Sequence, residues 1–455
     1  MENNRERLGS RLGFILLSAG CAIGLGNVWK FPYLSGQYGG GIFVLFYVLF
    51  LILFGIPVMT MEFSLGRAAQ KSPVLMLQKL EKPGHKWHIQ GYFAMAGNII
   101  LMMFYTVIAG WILKYFIGFV KGDFTGMDTG AVTDYFVNDT MGSASASVIF
   151  TIIMVVLGFF ICSFSLQKGL ERVTKIMMII LLVLMVVLAV HSVTMPGAKE
   201  GLDFYLRPDF SKFSWETVNK AMNQAFFTLS LGIGSMAIFG SYLGKDRSLM
   251  GESIHVTILD TIVAVMAGLI IFPACFTFGV NPDAGPGLLF MTLPNVFVNM
   301  AGGRIWGSLF FLFMTFAALS TVLAVFENIL SMFRDLTGLS RPKASIICGI
   351  GIIILSIPCA LGFNAWAGFV PFAEGSCVLD LEDFIVSNIL LPLGSLVYVI
   401  FCTWKSGWGW DNFMQEANIG KGAKVKNWMR GYMKYVLPII LIVVFVIGII
   451  TFKFK

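Results

Sequence analysis

The sequence predicts an all-α, polytopic membrane protein, a single integral domain over residues 1–455. Three observations predict it. Hydrophobic residues make up 57% of the chain and charged residues only 13%, a richer apolar balance than soluble globules carry. Apolar runs of about 20 residues, the length that crosses a hydrocarbon core, recur from end to end. Lys and Arg collect in alternate loops, which is how chains with one cytoplasmic side distribute them.

The runs give eleven candidate spans, at about 10–35, 41–66, 89–119, 147–166, 171–193, 216–242, 250–279, 305–333, 344–363, 379–403 and 433–452. Arg5, Arg7 and Arg11, the loop from Arg67 to Lys86, the loop from Lys168 to Lys175, and then Lys245, Arg247, Arg341, Lys343, Lys405 and Lys421 to Arg430 all fall on one side. That side is cytoplasmic, so the N-terminus is cytoplasmic and, eleven being odd, the C-terminus is extracytoplasmic. The opposite loops carry acids such as Asp123, Asp128, Asp134 and Glu374. The formal charge of +7 therefore reports orientation and implies no nucleic-acid partner. The seven cysteines lie singly, mostly inside apolar runs, with neither metal nor disulfide spacing. Residues Met1 to Gly9 are polar, and no cleavable signal is evident.

Gly20-Cys-Ala-Ile-Gly-Leu-Gly-Asn27 places three glycines in seven residues inside the first span. Each glycine costs roughly 1 kcal/mol in a helix interior relative to Ala. The cluster fits two readings, close packing through small residues or a break that exposes backbone groups to a protein-lined cavity. Phe226-Phe-Thr-Leu-Ser-Leu-Gly-Ile-Gly-Ser235 repeats the pattern in the sixth span. Two interrupted spans, five apart and entering from opposite sides, are the signature of two inverted five-helix repeats around a midplane site. Glu62, Asp260 and Glu327 lie within spans, with Asp335 and Asp383 nearer span ends; ionisable groups at such depth are costly and usually functional.

Arg11-Leu-Gly-Phe14, the Gly20–Asn27 stretch with Val-Trp-Lys-Phe-Pro32 after it, Gly39-Gly-Gly41, Glu62-Phe-Ser-Leu-Gly-Arg67 and Phe226-Phe-Thr-Leu-Ser-Leu-Gly232 resemble the neurotransmitter:sodium symporter family. The resemblance runs from the N-terminal tail through the tenth span, and the count of eleven is similar to that of a subset of bacterial, LeuT-like members. It implies the LeuT fold: one inverted repeat over about 10–193, the second over about 216–403, broken first and sixth helices, and an extra C-terminal span at about 433–452. The implied setting is multi-pass, in a prokaryotic cytoplasmic membrane, with the lipid bilayer, sodium ions and a small amino acid as partners and no obligatory protein partner.

The resemblance also implies two sodium sites. The first would take the Ala22 and Thr228 carbonyls, the Asn27 and Thr228 side chains, Asp260 and the substrate carboxylate. For the second it implies the Gly20, Ile23 and Ala317 carbonyls with the Ser320 and Thr321 hydroxyls. Oxygen-only sets of this kind suit a hard cation. Relatives that carry biogenic amines have an Asp where this chain has Gly24, so the substrate implied here is an α-amino acid. Its carboxylate would lie at the half-helix starting near Leu25 and Gly26, beside the Tyr105 hydroxyl, and its amino group at carbonyls of Ala22, Phe227 and Thr228. Its side chain would face Cys21, Leu101, Tyr105, Phe227, Ser230, Ile233, Thr321 and Val325. That lining is mostly apolar, so the side chain should be neutral and hydrophobic, aromatic or large aliphatic.

Lys30 with Asp383 would latch the outer vestibule, and Arg5 with Asp335, supported by Ser241 and Tyr242, the inner one. Lys30 replaces the Arg common in the family, a point charge for a two-pronged fork. Asp260 stands where Asn is frequent, and Ala264 is no halide ligand, so sodium coupling without chloride is expected. Relatives with Gly, nine residues and Pro in the fifth span have Ile179 here at the Pro position after Gly169. Two rivals keep the same residues, a non-transporting amino-acid sensor and a sodium-conducting channel; with no output domain in the sequence, the sensor is the weaker. An enzyme is not expected, because no nucleophile, metal or cofactor constellation accompanies the lone acids.

Overall fold

Long apolar helices bring their own backbone hydrogen bonds into the bilayer, and this chain is built from them. A computed structural model describes residue 6 and residues 8–280, 287–372 and 374–450. Among these, nine helices are long and apolar enough to cross a membrane, and Arg11–Ala22 (α1) with Gly26–Gln37 (α2), bent by 52°, makes a further span. The nine are Gly41–Ala69 (α3), Ile89–Lys121 (α4), Ala144–Ser163 (α5), Gly169–Val193 (α6), Leu249–Thr277 (α9), Gly303–Thr337 (α11), Arg341–Leu361 (α12), Val378–Thr403 (α13) and Met429–Ile450 (α14). The sixth expected span, 216–242, divides into Trp215–Thr228 (α7) and Ser235–Ser241 (α8), with turns over 229–234. Neither half is long enough to cross alone, and the turns over 229–234 part them more widely than residues 23–25 part α1 from α2. Between α9 and α11, the helix Leu288–Asn299 (α10) is apolar but too short to span.

The first break is narrower than the glycine cluster. α1 starts at the Ser10 cap, whose side chain accepts from Gly13 N, and ends at Ala22; Ile23 then turns to extended ψ 97. In the sixth span Ser230 holds φ +49 and Gly232 φ +89. A left-handed Ser is uncommon and marks a segment held by its surroundings. Gly232 has no alternative, since a Cβ there would lie 2.1 Å from Leu391 O.

Proline writes a second irregularity. Before Pro32, Pro57, Pro294, Pro392 and Pro438 the helix widens into a π-turn in which the residue preceding the proline bonds five back: Phe31 to Gly26, Ile56 to Leu51, Leu293 to Leu288, Leu391 to Val386, Leu437 to Tyr432. Proline lacks the N–H and its ring clashes with the carbonyl four residues back, so a wider turn relieves both problems. Three of the carbonyls so released accept from side chains elsewhere in the bundle. Tyr432 Oη donates to Leu53 O at 2.6 Å, Tyr115 Oη to Phe290 O at 2.9 Å and Trp404 Nε1 to Lys434 O at 3.2 Å.

α11 packs along α4, α9 along α6, and α8 against the second half of α3. At one end of the bundle Arg67, fully buried, donates from Nε to Glu416 Oε1 at 2.6 Å and from Nη1 to Arg247 O at 2.7 Å. The short amphipathic helix Trp410–Ala417 is thereby clamped across that end. Glu62, also fully buried, accepts from Gly232 N at 2.6 Å and so braces the broken sixth span.

Candidate functional site

The break in the first span releases carbonyls that α11 meets with hydroxyls. Thr321 Oγ1 lies 3.2 Å from Gly20 O and 3.3 Å from Ile23 O. Ser320 Oγ lies 3.1 Å from Ile23 O and 2.9 Å from Ala317 O. All five oxygen donors expected at the second ion position thus form one cluster, with no carboxylate among them.

A second polar cluster lies at the start of α2. Asp260 on α9 is fully buried and accepts from Asn27 Nδ2 at 2.8 Å, Thr228 Oγ1 at 3.1 Å and Tyr47 Oη at 3.1 Å. Asn27 Oδ1 in turn accepts from Gly24 N at 3.2 Å, and Gln224 Nε2 donates to Gly26 O at 2.6 Å. Both broken spans and α9 therefore share one negative group. Among the described residues no set of three or more His, Cys, Asp or Glu could hold a metal ion. Such chemistry suits a hard, weakly held cation rather than a transition metal.

Between the clusters is a cavity of about 20 Å³ lined by Cys21, Ala22, Gly24, Gly26, Leu101, Tyr105, Phe227, Ser230, Ile233, Thr321, Val386 and Leu391. Ten of these twelve were expected from sequence. Val325 was expected on the wall and is absent from it; Leu25 and Thr228, expected through their backbone groups, do not line it either. Leu25 faces the vestibule above, its N–H donating to Tyr105 Oη at 2.9 Å; Thr228 turns to Asp260; Val325 is buried in the helix packing of α11. Val386 and Leu391 were missed, and the proline at 392 was the sequence signal for the turn that brings them in. Gly24 is required by close approach, because a Cβ there would lie 2.2 Å from Thr321 Oγ1 and 2.4 Å from Tyr105 Oη.

Above the cavity opens a vestibule of about 560 Å³, and Tyr105 and Phe227 line both spaces. Lys30 Nζ lies 3.3 Å from Asp383 Oδ1 and 4.0 Å from the Phe227 ring centroid. Both latch side chains keep some water contact, 18% and 31% exposed. At the other end Arg341 pairs with buried Glu327 at 2.7 Å, Tyr242 Oη donates to Glu327 Oε1 at 2.8 Å, and Asp335 accepts from Ser72 N at 2.7 Å. Ser241 Oγ donates to Ile238 O at 2.6 Å. Arg5, the other half of the expected inner latch, lies outside the described residues. Glu6, beside it in sequence, bridges Arg334 at 3.1 Å and Arg341 at 3.3 Å. Burial would raise the Glu6 carboxyl, but the Arg341 charge, the Leu166 N–H and Arg334 together hold it below its ordinary range.

The sequence profile of the Sodium:neurotransmitter symporter family matches residues 5–128 and 135–455. An "Uncharacterized sodium-dependent transporter" of Haemophilus influenzae is 34% identical over 98% of this chain and 98% of its own. The "Uncharacterized sodium-dependent transporter YhdH" of Bacillus subtilis is 35% identical over 97% and 98%. A crystal structure of MhsT in complex with L-phenylalanine superposes with TM-score 0.88 at 36% identity, covering 98% of this chain and 100% of that one.

Proposed function

This chain belongs to the sodium:neurotransmitter symporter family and has the LeuT fold, and from that premise we propose that it imports a neutral, hydrophobic L-amino acid with two sodium ions, without chloride. Sodium-dependent membrane transport is the family's activity, and its members are not enzymes. The observation that carries the substrate reading is the lining of the cavity: mostly apolar side chains together with Gly24, Gly26 at the start of α2 and the Tyr105 hydroxyl. A carboxylate suits the start of α2, because a helix N-terminus favours an anion. MhsT, which shares the architecture, was crystallised with L-phenylalanine, and supports an aromatic or large aliphatic side chain here.

In this reading the Gly20, Ile23, Ala317, Ser320 and Thr321 oxygens hold one sodium. Ala22, Asn27, Thr228 and Asp260 hold the other, with the substrate carboxylate completing the shell. Coupling then follows from a shared ligand, since neither sodium nor amino acid binds well alone. Asp260 supplies within the protein the negative charge that an added chloride would otherwise bring. A tenfold sodium gradient and 100 mV give about 3.7 kcal/mol per ion, so two ions supply about 7 kcal/mol, or roughly 10⁵-fold accumulation. The inverted repeats at about 10–193 and 216–403, the cytoplasmic N-terminus and the prokaryotic cytoplasmic membrane belong to the same reading.

Uptake of labelled amino acids into proteoliposomes under an inward sodium gradient tests it. Accumulation of hydrophobic L-amino acids, abolished by replacing sodium with choline, is expected. A wild-type protein that accumulates none of them would overturn the proposal.

A further inference from the structure

Val386 and Leu391 are buried on the cavity wall, yet in an α-helix they could not share it. Five residues at 3.6 per turn put two side chains about 140° apart. Here Leu391 N bonds Val386 O across the π-turn Ile385–Leu390, and in a turn closed five residues on, those two positions stack on one face. Pro392 is the reason for the wide turn. Leu391 is fixed from behind, since its carbonyl fills the space beside Gly232 of the broken sixth span.

The same turn carries the outer latch. Ser387 Oγ donates to Asp383 Oδ1 at 2.7 Å, Asp383 pairs with Lys30, and Lys30 lies over Phe227, which returns to the cavity wall. A closed path of contacts therefore links the cavity wall at span ten to the residue that roofs it.

We propose that Val386 and Leu391 set the upper limit on the size of the transported side chain. A bulky substrate presses on the π-turn and, through Ser387, on Asp383, so the outer latch closes well only over side chains that this wall admits. The inference rests on the amino-acid transport reading above and adds the residues that choose among amino acids.

The test compares sodium-driven uptake of L-tryptophan, L-phenylalanine, L-leucine and L-valine by wild type, Val386→Ala, Leu391→Ala and Leu391→Phe. One or two methyl groups in an apolar pocket change discrimination by about tenfold. The two truncations should raise the tryptophan-to-valine ratio of kcat/KM about tenfold, mainly through KM for tryptophan, and Leu391→Phe should lower it. A folding defect lowers all four substrates together and cannot move the ratio in opposite directions. Ratios within twofold of wild type in all three variants would overturn the inference while leaving the transport reading intact; a wild type that transports none of the four would overturn that reading and this one with it.

Discussion

The Asn27 side-chain amide lies 2.8 Å from Asp260 Oδ1 and ties the broken first span to α9. Tyr47 and Thr228 donate to the same carboxylate, so the charge is held by three hydrogen bonds and no basic side chain. A charge so placed calls for a cation. Asp260→Asn should keep most of these contacts and remove the charge. Losing a buried charge partner typically costs about 2–5 kcal/mol, so the sodium concentration for half-maximal uptake should rise at least tenfold. Replacing chloride with gluconate should leave wild-type uptake unchanged.

Gly24 is hemmed in by Thr321 and Tyr105. Gly24→Ala should cost roughly 1–3 kcal/mol of overpacking at the site, about 5- to 150-fold in substrate Kd. The check is thermal stabilisation by L-phenylalanine in sodium buffer, measured beside Thr321→Ala/Gly24→Ala. The double variant should not recover, because Thr321→Ala also removes a proposed sodium ligand and the Tyr105 hydroxyl still meets the new methyl.

Much of this was legible in the sequence, and the reasons differ by feature. Span edges followed from apolar length and lie within about four residues of the helices. The Gly20–Asn27 and Thr228–Gly234 breaks were legible because glycine weakens a helix wherever it stands. Val386 and Leu391 were hidden, since reading faces at 3.6 residues per turn separates them. Leu25 and Thr228 were expected for their backbone groups and for the Thr228 hydroxyl beside Asp260, and the structure pairs the Leu25 N–H with Tyr105 and that hydroxyl with Asp260. The helix Leu288–Asn299 was too short to register as a span.

Arg341 and Glu327 form a buried, two-pronged pair, 2.7 and 2.9 Å. Breaking such a pair from one side typically costs about 3–5 kcal/mol, whereas removing both charges costs less. Glu327→Gln and Arg341→Met should each lower the detergent-solubilised Tm more than the double variant does.

Glu6 gives the same end of the bundle a pH signature. Its carboxyl is held below the free value of 4.5. A depressed pKa contributes stability that is complete above the free value and is lost as pH falls through the folded one. Hydrogen exchange in residues 8–22, corrected for intrinsic rates, should therefore be flat from about pH 8 to 5 and rise under stronger acid. Glu6→Gln should show the faster exchange already at pH 7.

The proline-associated wide turns have a consequence for how such a chain changes over generations. A π-turn holds one residue more than an α-helix would use there. An insertion inside an ordinary helix rotates everything after it by about 100° and presents each later side chain to a new neighbour. Absorbed as a wide turn, the same insertion leaves the later faces aligned. Four spans and the short helix α10 carry that slack ahead of a proline, so loss of one residue at these turns would leave the rest of the bundle in register.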